Sequence, residues 1–107
     1  MSVSDTDLAV DALHHLTVLR DHLTRGDLSD SVVADAVCLR LAAAIDSLAR
    51  GSELLRTQTC GDEWHVVWAT RNRIVHGYVD VDISVIQVTV DSDLPGLEQA
   101  LRKFLGN

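Results

Sequence analysis

Val81-Asp82-Ile83-Ser84-Val85-Ile86-Gln87-Val88-Thr89-Val90 decides the fold class, because it can be read two ways. β-Branched residues are dense here, and Val81, Ile83 and Val85 alternate as they would in a strand. The alternation then slips, since Ile86, Val88 and Val90 fall on the opposite face. As a helix capped by Asp82, the same stretch turns Ile83, Ile86 and Val90 to one side. A strand would have no partner to pair with, because the rest of the chain reads as helix. The helical reading is therefore preferred, and with it an all-α domain.

Working outward, Asp91-Ser92-Asp93 with Pro95 in the first turn looks like a fresh helix start, with Leu94, Leu97, Leu101 and Leu105 (or Phe104) as its apolar face. Upstream, Asp62 is placed to cap a helix carrying Trp64, Val67, Trp68, Arg71, Val75 and Tyr78. Thr57 to Gly61 reads as the loop before it. Before that loop, Val33, Val37, Leu41, Ala44, Ile45, Leu48, Ser52 and Leu55 make a stripe of about seven turns, capped by Asp30 or Ser31, with Gly51 near its end as a residue able to shorten it. The first helix runs from Asp5 to about Thr24 on Leu8, Ala12, Leu16, Leu19 and Leu23, with Gly26 as its stop. The sum is an antiparallel bundle of four to five helices forming one domain over residues 1–107.

Composition narrows the functional classes. Hydrophobic residues make up 47% of the 107 and charged residues 23%, with a single proline, so the chain has the apolar mass to fold. No apolar run reaches 18 residues, and Met1 to Asp5 lacks the start of a secretion signal, so a cytoplasmic protein without a membrane span is expected. Cys38 and Cys60 lack zinc-site spacing and read as ordinary thiols. His14 and His15 have no ligand partner at i+4 and read as surface or interface histidines; no metal site and no cofactor is expected.

The formal net charge is −7, yet no Asp or Glu occurs from Trp64 through Val79. Within that gap, Arg71-Asn72-Arg73-Ile74-Val75-His76-Gly77-Tyr78 concentrates two arginines, an amide, a histidine and a tyrosine. At ~100° per residue, Trp64, Trp68, Arg71, Val75 and Tyr78 share one stripe. A guanidinium there must meet a carboxylate, an anion or a wet cleft, because burying it unpaired costs several kcal/mol. His76 lies about 140° round the helix from Arg71, on the strip of His65 and Asn72, with Asn72 within hydrogen-bond reach. Arg71 and His76 can meet at one atom only if the helix ends near Val75 or if two copies of the segment face each other in a dimer, the tryptophan stripe forming part of the contact. Arginine holds phosphate bidentately and histidine moves protons near neutral pH. Cleavage of RNA by its own 2′-hydroxyl uses those two functions, with Asn72 orienting either group. Each residue also has a plain reading: Arg73 as a surface arginine, His76 as a helix-end cap, Tyr78 as a half-buried aromatic. The case rests on their conjunction.

At these residues the chain resembles the HEPN superfamily of helical ribonucleases, whose signature is Arg-x4-His with a polar residue after the arginine. The longer Arg-x4-His-x-Tyr, here Arg71, His76 and Tyr78, is similar to HepT-type toxins of prokaryotic toxin–antitoxin modules. The resemblance continues from Asp35-Ala36-Val37 through the second helix to Asp93-Leu94-Pro95 and the last helix. Two positions depart: Glu63 replaces the proline that often precedes the motif helix, and Ile45-Asp46 stands where a Gly-Glu pair is common. The resemblance implies an all-α homodimer whose motifs line a shared cleft. It implies a metal-independent endoribonuclease with Arg71 and His76 catalytic and Asn72 and Arg73 supporting. It also implies the toxin role of a type VII module, in which an MntA-type nucleotidyltransferase antitoxin transfers AMP to Tyr78. That partner would use ATP and magnesium, and this chain neither. The alternative is a non-catalytic helical dimer acting as accessory or substrate of the nucleotidyltransferase, a reading that the acid surplus keeps open.

Overall fold

The computed structural model describes residues 3–77 and 81–106, all of them helix or connection. Helix α1 (Asp5–Leu23) starts on Ser4, whose side chain accepts the Asp7 N–H. Helix α2 (Ser31–Ala49) starts on Asp30, whose carboxylate accepts the Val32 N–H. They run antiparallel. Asp5 at the start of α1 meets Ser52 just past α2, and His15 meets Arg40 at mid-length. Leu8, Ala12, Leu16 and Leu19 of α1 pack against Val37, Leu41, Ala44, Ile45 and Leu48 of α2 in one buried cluster.

The long second stripe expected from the sequence is broken in two. Helix α2 stops at Ala49, and α3 (Glu53–Cys60) begins after Ser52, so Ser52 and Leu55 belong to a new helix and Thr57 to Cys60 is not a loop. The break has a physical cause. A Cβ on Gly51 would sit 2.5 Å from a Leu55 methyl, and Ser52 is a better cap than helix-interior residue. Ser52 Oγ accepts the Leu55 N–H at 3.2 Å and donates to Asp5 at 2.5 Å, while the Ser52 N–H donates to the same carboxylate at 2.9 Å.

Helix α3 ends at Gly61, which adopts a positive φ of 58° that side chains rarely tolerate. A single 3-10 turn (Gly61–Glu63) leads into α4 (Trp64–His76). Asp62 therefore lies inside that turn, and the α4 start carries no side-chain cap at all. At the first connection, Gly26 is not the stop either. Helix α1 ends on Thr24, whose hydroxyl donates to the Asp21 carbonyl at 2.6 Å.

The decisive stretch is helical. Helix α5 (Ile83–Val88) is capped by the Asp82 carboxylate, and Ile86 and Val90 are buried as expected. No new start follows. Thr89–Asp93 forms a π turn that runs directly into α6 (Leu94–Phe104). Pro95 explains it: the ring has no N–H for the Asp91 carbonyl and would press on it in a regular helix, so the backbone widens there. Leu94 and Leu101 of α6 are buried, and Arg20 of α1 grips Glu98 of α6 at 2.6 Å. Counting α5, the π turn and α6 as one rod gives five, in line with the expected all-α bundle. No described helix is long and apolar enough to cross a membrane.

Candidate functional site

Helix α4 packs against α2, and its inward line runs Trp64, Val67, Arg71, Ile74 rather than through Val75. Ile74 is 5% exposed and Val75 46%, which corrects the expected stripe by one position near its end. Arg71 remains on that line. Its side chain is 20% exposed, and its Nε donates to Asp46 Oδ1 of α2 at 2.8 Å. Of the three partners that helical phase allows Arg71, a carboxylate, an anion or a wet cleft, the described residues supply the first, Asp46. Nη1 donates to Asn72 Oδ1 at 3.2 Å, so Asn72 serves Arg71 and forms no hydrogen bond to His76. The guanidinium plane lies over Trp68, its carbon 4.7 Å from the ring centroid. Among the described residues nothing else engages the guanidinium, so the outer edge of the fork, Nη2 and the other Nη1 proton, can face an oxyanion with its donors uncommitted there.

His76 is the last residue of α4 and is exposed. It has no hydrogen-bond or ion-pair partner among the described residues. The helix closes directly after it, with Gly77 donating its N–H to the Arg73 carbonyl at 3.0 Å. Since α4 stays helical through His76, Arg71 and His76 keep their separation of about 140° within one chain. An early helix end does not bring them together. Arg73 is exposed on the outer face. Tyr78 lies outside the described residues.

Two participants were missed from sequence. Asp46 stands out in the sequence only as a departure from the family pattern, and Arg56 does not stand out at all. Arg56 of α3 stacks its guanidinium 5.5 Å from the Trp64 centroid, and Trp64 stacks on Trp68 at 5.9 Å with 28° between planes. An arginine eight residues before a tryptophan, across a helix junction, leaves no periodic signal.

Elsewhere, burial pushes the thiols of Cys38 and Cys60 upward, which keeps them protonated. No group of three or more His, Cys, Asp or Glu side chains among the described residues is arranged to hold a metal ion.

Comparison with protein families gives a match over residues 10–104 to the model described as HepT-like: ribonuclease HepT-like. The chain belongs to the HepT-like ribonuclease family. The family match runs from within α1 to the end of α6. No curated protein and no solved structure matches the chain significantly.

Proposed function

We propose that this HepT-like chain is a metal-independent endoribonuclease that cuts RNA through its 2′-hydroxyl. The observation that carries the reading is Arg71: a half-buried guanidinium fixed on its inner edge by Asp46 and on its face by Trp68, its outer edge unpartnered among the described residues and suited to phosphate. In the reaction, the 2′ oxygen bonds to phosphorus as the P–O5′ bond breaks. A base removes the 2′ proton, an acid protonates the departing 5′ oxygen, and the products are a 2′,3′-cyclic phosphate and a 5′-hydroxyl. His76 takes the proton work, Arg71 the charge on the phosphate, and Asn72 and Arg73 support them. Two copies related by symmetry supply the missing geometry, with His76 of each chain completing a cleft shared with its neighbour.

Tyr78 follows His76 by two residues, which suits a switch. Its phenolic oxygen attacks the α-phosphate of ATP held by an MntA-type nucleotidyltransferase antitoxin and pyrophosphate leaves. The AMP then puts bulk and negative charge two residues along the chain from His76, which would repel RNA. The chain is then the toxin of a type VII module, acting in the cytoplasm.

One observation favours a second reading. The Asp46 carboxylate neutralises the arginine in a chain of net charge −7, as expected of a helical dimer that serves a nucleotidyltransferase without cleaving RNA itself. Total cellular RNA incubated with the protein in excess EDTA separates the two. Cleavage that falls at least ~100-fold in Arg71→Ala and His76→Ala supports the nuclease. Intact RNA with wild-type protein, alongside adenylylation of the only tyrosine by the co-expressed partner, supports the accessory.

A further inference from the structure

Four side chains from two helices form a continuous stack that ends on Arg71. Arg56 donates from Nη1 to the Gly51 carbonyl at 2.5 Å and to the Ala49 carbonyl at 3.4 Å, which ties it to the C-terminal end of α2. Its guanidinium lies over Trp64, Trp64 stacks on Trp68, and the Arg71 guanidinium lies over Trp68. We infer that Arg56, Trp64 and Trp68 are positioning residues for Arg71, setting the plane in which its guanidinium meets the scissile phosphate. The inference rests on Arg71 being the phosphate-binding residue.

The argument is one of constraints. The Nε–Asp46 hydrogen bond fixes one edge of the fork but leaves its plane free to rock about that bond. Asn72 sits next to Arg71 on the same helix and moves with it. Trp68 supplies the missing constraint on the plane, and Trp68 is itself held by Trp64. Trp64 stands at the start of α4, where no side chain caps the helix, and packs only partly against the core. Arg56 clamps the outer face of Trp64 and refers the stack to the α2 terminus, the same helix that carries Asp46. Both constraints on Arg71 are thus measured from α2. Because charge on phosphate grows in the transition state, misorientation of the arginine reduces turnover more than binding.

Trp64 and Trp68 are the only tryptophans in the chain, so tryptophan emission, excited selectively over Tyr78, reads the stack. The test compares Trp68→Leu, Trp68→Phe, Arg56→Ala and Arg56→Lys with wild type, on total cellular RNA in EDTA. Trp68→Leu is expected to lower kcat about tenfold and Arg56→Ala about threefold, each with KM within about twofold. Trp68→Phe, which keeps an aromatic face, recovers most of the loss, and Arg56→Lys recovers part. Arg56→Ala also changes the tryptophan emission.

If Trp68→Leu fails to fold, the Arg56 variants carry the test, since they alter the far end of the stack without opening the core. Wild-type kcat in folded Arg56→Ala, or unchanged emission there, overturns the inference. Arg71→Ala in the same series separates the two levels. Full activity of Arg71→Ala sinks the functional reading itself. An inactive Arg71→Ala beside a fully active Arg56→Ala and Trp68→Leu sinks only the positioning role.

Discussion

Arg71 and Asp46 make an ion pair between half-buried groups, with side-chain exposures of 20% and 43%. Solvent reaches the carboxylate, so the pair contributes on the order of 1 kcal/mol to stability rather than the several expected of a fully buried bridge. Its larger consequence is geometric. Asp46→Asn keeps an acceptor of the same shape but removes the charge, whereas Asp46→Ala removes both. Thermal melts should show a loss of a few degrees for either. Cleavage assays should show Asp46→Ala about tenfold below wild type and Asp46→Asn between the two. An Asp46→Ala protein that cleaves RNA faster than wild type would instead mark the carboxylate as a competitor of phosphate. That Arg71 needed a carboxylate, an anion or a wet cleft was legible in its helical phase. Which carboxylate was not, because the partner lies 25 residues away on another helix.

At the scale of elements, the junction between α2 and α3 concentrates several weak interactions at one serine. Ser52 caps α3 and binds the Asp5 carboxylate through both its hydroxyl and its backbone N–H. Ser52→Ala removes the cap and one of the two bonds to Asp5. Chemical denaturation should report a loss of about 1 kcal/mol, with Ser52→Thr losing less. The sequence hid this junction because Ser52 and Leu55 continue the apolar spacing of α2, and periodicity carries across a kink when both helices use the same core. The reverse occurred at Asp91-Ser92-Asp93. Cap-type residues and Pro95 imitated a helix start, while the chain absorbed the proline in a π turn and went on. Caps are local signals, and local signals say where a helix is able to begin, not where packing lets it stop.

For the whole molecule, stability should decline on the acid side in two stages. His15 is held below the ordinary histidine range, first by burial and then by the Arg40 guanidinium 3.0 Å away. The folded protein therefore binds that proton less readily than the unfolded chain. The stability tied to neutral His15 is complete above the unfolded histidine range, near 6.5, and is lost as pH falls through the lower folded value. Asp5, Asp27 and Asp82 are likewise lowered, chiefly by hydrogen bonds from Ser52, Ser29 and Ser84, and their contribution is present above the usual Asp range and lost below it. Melting temperatures across pH 8 to 3 should show both declines, and His15→Gln should flatten the first while leaving the second. The helical class, the long α1 and the phase of α5 were readable because apolar spacing records what must be buried. The stack at Arg56 and the turn at Gly61 were not, since stacking and backbone geometry leave no period in the chain.

The Asp46–Arg71 bridge also ties together two codons under selection. A descendant that gives up the arginine strands a half-buried aspartate, and one that gives up the aspartate loosens the arginine. Substitution at either position should therefore favour a matching change at the other. Across related chains the two sites are expected to change as a pair, with degenerate copies losing both together.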